Sequence, residues 1–403
     1  MLPGAETSPT RRAALAAGAL LALILGVLVL SRLFDGGLAA PLDFTAFWTA
    51  GRLGADGANA YDAASVHELQ RGLGLNDTAI MMWNPPWTLT LVMPLGLLPF
   101  RTAYGAWVLL HIGLMAAAAE LLWRGLGGPK HARGVAYLIT LAFVPTIFLI
   151  GSGQLTAIVL VGLAGFLVLR KQHPFLAGAV GALTAVKPHL LVLFALWLIF
   201  DAIRDRSARR VLLGGAVVGL LACLPPTLAN PDIWREYVNA TTGTSSADHE
   251  HLSRWTPPLA GWWMRTAVPG HPFWVQWLPL VVGVGLFTAW WRKRKQAPSI
   301  PALVGLSLLI APYGVWQHDL VMLLVPILAV AAKLAARPAP IAIGAGIVAF
   351  SSANGVMFAM MFAHTSSEWY VWVVPTILLA CAATVKIAEL EARSAPAPVP
   401  LGA

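Results

Sequence analysis

Four ionisable groups, two of them adjacent, stand where a largely apolar chain has little use for charge. Asp43 opens DFTAFWTAGR directly after an apolar run, with Phe44, Phe47 and Trp48 following at near-helical spacing. This pattern predicts an amphipathic segment lying on a membrane with one carboxylate at its start. Such a carboxylate can take a proton from a hydroxyl or cap a helix. Lys187 lies inside an apolar run beside Pro188. A cation there can snorkel to the surface or bind a phosphate. His318 and Asp319 separate two apolar runs, close to Trp316. A histidine there can shuttle a proton or hydrogen-bond an anion; the plain alternative is a satisfied buried pair. Adjacent helical residues do not share a face, so Asp319 is expected to cap its helix rather than orient His318.

Other polar groups have plainer readings. Asp56 and Asp62 flank the turn-rich DGANAYD and are expected to cap helices. His249, Glu250 and His251 are the residue types of a metal site, but they are consecutive and lack the i, i+4 spacing of a helical metal motif. No metal and no cofactor is expected. Trp83, Trp87, Trp262, Trp263, Trp369 and Trp372 are expected in the interfacial belt. The two cysteines, Cys223 and Cys381, lie in apolar stretches, which argues against a disulfide framework or a structural zinc site.

The elements that must position these groups follow from composition. Of 403 residues, 58% are hydrophobic and only 11% charged, with a mean hydropathy of +0.72. Lipid must be the solvent for most of the chain. The net charge of +9 is that of cytoplasmic loops rather than of a nucleic-acid-binding surface, since no soluble basic domain is visible. Basic loops at 124–133, 170–171, 204–210, 292–295 and 333–337 divide the apolar segments. Placing each in the cytoplasm gives about twelve transmembrane helices with both termini inside. The first, Ala13–Phe34, is too long for a signal-peptide core and is read as a retained helix. The segment Ala177–Phe200 has basic residues at both ends, which is resolved if Lys187-Pro188 breaks it into two short helices. Pro85–Pro99 is read as a juxtamembrane or re-entrant helix.

The organisation expected is therefore a cytoplasmic segment 1–12, a polytopic domain 13–388, and a Pro/Ala-rich cytoplasmic tail 389–403 without fixed structure. Outer loops cover 35–100 and 229–272. This topology gathers Asp43, Asn84, Gln154, Lys187, His189, Trp316 and His318 on the outer side.

The order DFTAFWTAGR, NAYD, WNPPWTLTLVMPLGLLP, GQLTAIVLVGL, AGAVGALTAVKPHLLVL and APYGVWQHDLVMLLVP resembles glycosyltransferase family 87. This is a branch of the polytopic C-type glycosyltransferases that use polyprenyl-phosphate sugars. Its best-known members include the polyprenol-phosphate-mannose-dependent mannosyltransferase of phosphatidylinositol mannoside synthesis and an arabinofuranosyltransferase. The resemblance implies an all-α fold of the C-type glycosyltransferases, with juxtamembrane helices in a large first outer loop. It implies a catalytic base at Asp43 and a functional histidine at His318. Lys187, Gln154, Asn84, Trp316 and His189, which stand in the quoted motifs, are the candidate substrate-binding residues.

The chemistry agrees with the reading of the residues. A glycosyl phosphate is already activated, so the protein must deprotonate one acceptor hydroxyl, stabilise the departing phosphate and align both substrates. One carboxylate suffices as base, and single displacement inverts the anomeric centre. The expected partners are a polyprenyl-phosphate sugar donor, a lipid or glycan acceptor and the lipid bilayer, with no nucleic acid. The chain is expected to act as a monomer in a bacterial inner membrane, its site facing the periplasm. Mannose is the sugar the resemblance favours; arabinofuranosyl or other hexosyl transfer is the alternative. A secondary transporter is the rival class, but it would place its charges near the midplane and show related halves.

Overall fold

The computed structural model describes residues 42–75, 78–242, 256–294, 297–313 and 315–394. The expected helix Ala13–Phe34 and the cluster His249–His251 lie outside the described residues. Among the described residues the secondary structure is helical throughout, with no strand.

The described part of the segment expected to be the first outer loop carries helices. Helices α1 (Leu42–Ala55) and α2 (Ala63–Arg71) are followed by a 3-10 turn, Pro86–Thr88, that leads into α3 (Leu89–Gly96). At eight residues α3 reaches about 12 Å, too short to span, as the re-entrant reading requires. It lies against α1, where Trp48 Nε1 donates to Leu98 O (3.0 Å). Across α3, Thr90 Oγ1 donates to Ala222 O (2.6 Å). In α1, Phe44, Thr45, Phe47, Thr49 and Ala50 are all buried, so most of the helix is covered by protein, while Arg52 is exposed. Asp62 caps α2, accepting from Ser65 N (2.8 Å), as its turn-rich context predicted; Asp56, expected to cap as well, instead pairs with Arg52 (3.0 Å). The Ser65 hydrogen bonds hold the Asp62 carboxyl below the ordinary value.

The long helices are α4 (Phe100–Gly125), α10 (Arg206–Ala229), α13 (Leu278–Lys293), α15 (Leu324–Ala336), α16 (Pro340–Phe362) and α17 (Val373–Ser394). Between α4 and α10 lie α5 (Gly134–Ala142), α6 (Val144–Ser152), α7 (Thr156–Leu169), α8 (Pro174–Gly181) and α9 (Val192–Ala202). The remaining helices are α11 (Ile233–Thr242), α12 (Ala260–Thr266) and α14 (Ile300–Ile310). Counting their 3-10 extensions, six helices among the described residues are long and apolar enough to cross a membrane. The pair α5–α6, bent by 60°, makes a seventh if it is one span. The expectation of about twelve spans is not reached by these helices, and its first member, Ala13–Phe34, lies outside the described residues. Thr156–Leu169, Pro174–Val186, Pro188–Ala202 and Ile300–Ile310 are apolar but short. A 14-residue helix covers about 21 Å against about 30 Å of hydrocarbon. The chain stops these helices early, and it presents Thr156 at the start of α7 and Lys187 just past the 3-10 extension of α8.

Glycines hold α8 in place. A Cβ on Gly178 would lie 1.8 Å from Val211 O, and one on Gly214 would lie 2.0 Å from Phe175 O. The α8 and α10 backbones therefore touch, the small-residue contact of helices packed within lipid. The long helices differ in how enclosed they are. Two-thirds (67%) of the apolar stretch of Asp319–Ala336 is buried, against 17% for α10 and α16. The outer helices turn Leu220, Leu228, Ile347 and Val348 outward, the surface that lipid would cover. At the far end, α17 runs to Ser394, past the expected boundary at 388. Glu391 there accepts from the otherwise free Ile341 N (3.0 Å) and Ala342 N (2.8 Å) at the start of α16.

Candidate active site

Four helix ends meet in one place. Asp43 sits in the first turn of α1 and Thr156 begins α7. Lys187 is the joint between the 3-10 segments Ala182–Val186 and Pro188–Leu191, with φ −136° and ψ 71°. Pro188 lacks the N–H that would continue the helix and disfavours an α-helical residue before it, so the break falls at Lys187. His318 and Asp319 begin the enclosed helix that continues as α15.

Asp319 is the hub. It is fully buried, and its Oδ1 accepts from Lys187 Nζ at 2.7 Å. The Thr156 hydroxyl donates to the same oxygen. Its Oδ2 accepts from Trp316 N (3.1 Å) and lies 3.5 Å from His318 Nε2. Asp319 thus reaches back to a backbone N–H that precedes its helix rather than capping the helix as expected, and it also faces the imidazole, which was not expected. The rule that neighbours diverge holds inside a helix; at a first turn a short carboxylate folds back toward free N–H groups and meets the side chain before it. Lys187 neither snorkels nor stands free: it is 6% exposed and its charge is compensated by Asp319.

His318 bridges the sealed hub to the open side. Its Nδ1 is 4.0 Å from Asp43 Oδ2. The Asp43 side chain is 33% exposed, whereas Asp319 is wholly covered, so of the two carboxylates only Asp43 can meet a reactant. Burial, the largest influence, holds the His318 imidazole below its ordinary value; Asp319 and Asp43 oppose this, and Lys187 adds to it. His318 Nε2 is buried without a hydrogen-bond partner.

The other expected residues divide. Gln154 lies in the turn between α6 and α7, two residues before Thr156. Its carbonyl bonds His111 Nε2 (2.7 Å), and the preceding Gly153 O accepts from Trp107 Nε1 (2.7 Å). Gly153 has φ +74°, and a Cβ there would be 2.8 Å from Phe44 Cβ, so this turn packs directly behind Asp43. Trp316 contributes its backbone N–H to Asp319. Asn84 supports the joint from below, its Nδ2 donating to Val186 O (2.9 Å), while its own carbonyl accepts from Tyr61 OH (2.8 Å). His189 packs its ring edge-on against Tyr313. Sequence reasoning missed Thr156 as a site residue and undervalued Asp319. The HD pair itself was the available signal. Among the described residues no group of three or more His, Cys, Asp and Glu is placed to hold a metal ion. A cavity of about 370 Å³ lies at the Arg170 end of α7, among Lys171, Asp201 and Asp205, away from Thr156.

Buried ionisable groups gathered at helix ends in a multi-pass bundle mark a functional centre. The family model for glycosyltransferase family 87 matches residues 82–312. The chain belongs to glycosyltransferase family 87. It is accordingly a membrane glycosyltransferase. No curated protein and no solved structure matches it. The matched region of this family 87 member includes Asn84, Gln154, Lys187 and His189. It begins after Asp43 and ends before His318, so those two are joined to the family region here by geometry.

Proposed function

We propose that this family 87 chain moves a sugar, mannose, from a polyprenyl-phosphate donor to a hydroxyl of a lipid or glycan acceptor on the extracytoplasmic side. The observation that carries the reading is the approach of Asp43 Oδ2 to His318 Nδ1 (4.0 Å) from opposite ends of the chain, with Asp43 on the open side. Asp43 takes the hydroxyl proton as the acceptor oxygen bonds to the anomeric carbon. The anomeric carbon–phosphate oxygen bond breaks with inversion, and the electron pair leaves with the polyprenyl phosphate. His318 stands beside the base, its Nδ1 toward Asp43. The outer apolar surface of the bundle suits a polyprenyl chain lying in lipid. The outward-facing assignment is supported by charge: α15 starts at the site and carries Lys333 in its last turn, and α7 runs from Thr156 to Arg170.

The test is transfer itself. Purified protein is incubated with radiolabelled polyprenyl-phosphate mannose and a membrane lipid extract. Release of polyprenyl phosphate with label in a new product is expected; no release from this or from the arabinofuranosyl donor overturns the reading.

A further inference from the structure

The hub carboxylate has no assigned task in this chemistry, yet its surroundings are built around it. Asp319 has no exposed surface and takes three donors: Lys187 Nζ, the Thr156 hydroxyl and Trp316 N. These come from three separate chain segments, so the position of the carboxylate is fixed by the bundle rather than by its own helix. One carboxylate offers about four acceptor sites. The fourth direction leads from Oδ2 to His318 Nε2 at 3.5 Å, and Nε2 is the buried ring nitrogen that lacks a partner. A separation of this length is short of a hydrogen bond, and such contacts tighten when a reactant is bound.

We propose that Asp319 is a positioning residue, holding His318 in the tautomer that carries its proton on Nε2 and turning the unprotonated Nδ1 toward Asp43. This rests on the transferase reading above, in which Asp43 is the base. Its consequence concerns the proton. Asp43 takes it from the acceptor hydroxyl, and Nδ1 at 4.0 Å is the adjoining acceptor. Passage from Asp43 to Nδ1 leaves an imidazolium facing the Asp319 carboxylate and restores Asp43 as a carboxylate; the imidazolium later yields its proton to water. Lys187 then acts through Asp319, keeping it ionised and in place, rather than as a direct ligand of the donor phosphate. The charged groups facing His318 are Asp43, Asp319 and Lys187, from three different segments.

The test reads the imidazole directly. Protein labelled with 15N-histidine in lipid nanodiscs is examined by NMR, with His318 assigned from the signal lost in His318→Gln. The expected wild-type signature is protonated Nε2 and unprotonated Nδ1 at pH 8. The reverse tautomer overturns the proposal without any variant. In the paired substitution Lys187→Met with Asp319→Leu, which removes both buried charges together, the tautomer preference is expected to disappear. Turnover is expected to fall by roughly 10²-fold or more, as when a tautomer-fixing carboxylate is lost from a triad, with donor affinity within about threefold of wild type. A preserved tautomer or wild-type turnover in the paired variant overturns the proposal and returns the ion pair to a purely structural role. Failure of the wild-type protein to release polyprenyl phosphate instead removes the transferase reading, whatever the imidazole signal shows.

Discussion

Lys187 Nζ lies 2.7 Å from Asp319 Oδ1, and the two side chains are 8% and 0% exposed. This pair closes the bundle across 132 residues of sequence. Removing one partner of a buried pair leaves an uncompensated charge and costs about 3–5 kcal/mol, whereas replacing both with apolar residues is often neutral. Lys187→Met alone is therefore expected to lower thermal stability sharply, and addition of Asp319→Leu to restore much of it. Melting of wild type, Lys187→Met and the paired variant in one detergent checks this; a single variant as stable as wild type refutes it.

Asp43→Asn keeps the size of the side chain and removes its basicity. Turnover should fall by roughly 10²-fold or more with donor affinity largely kept. Single-turnover transfer measured beside equilibrium donor binding decides it. Near-normal turnover would return Asp43 to helix capping.

His318 gives stability a defined pH dependence. Burial places its folded value below the ordinary 6.5, so between the two values the unfolded chain binds the extra proton. Stability is then lost as pH falls through about 6.5 toward the folded value, and is unaffected by this group at higher pH. Wild-type protein should lose more melting temperature than His318→Gln when pH drops from 7.5 to 5.5. Equal losses would show that His318 titrates at its ordinary value.

The glycine contact between α8 and α10 predicts unequal tolerance. Gly178→Leu must push aside Val211 O, 1.8 Å from the new Cβ, and should destabilise by about 1–3 kcal/mol or more. Gly105→Ala meets nothing within 4 Å on α4 and should stabilise by up to about 1 kcal/mol through helix propensity. Fluorescence-detected size exclusion after a heating series compares them.

Orientation can be read from α10, which joins Arg206 to the segment leading to Thr242. With Cys223 and Cys381 replaced by serine, single cysteines at Arg206 and Thr242 should react with an impermeant maleimide from opposite sides, Thr242 from outside. Labelling of both from one side would break the topology proposed for the site.

The sequence alone settled what is local or periodic. Apolar length and basic loops determined a polytopic helical chain, because lipid leaves the backbone no other way to satisfy its hydrogen bonds. Pro188 determined the break at Lys187, and DGANAYD its capping turn at Asp62. Asp43, Lys187 and His318 were legible as candidates because charge within apolar sequence is costly. Tertiary structure alone decided their relations. The capture of Lys187 by Asp319 and the approach of His318 to Asp43 depend on partners more than a hundred residues away, and no local pattern records which helix ends will meet. The division of labour between the carboxylates was decided in the same way. Asp43 and Asp319 look alike along the chain; packing leaves one on the open side and encloses the other among three donors.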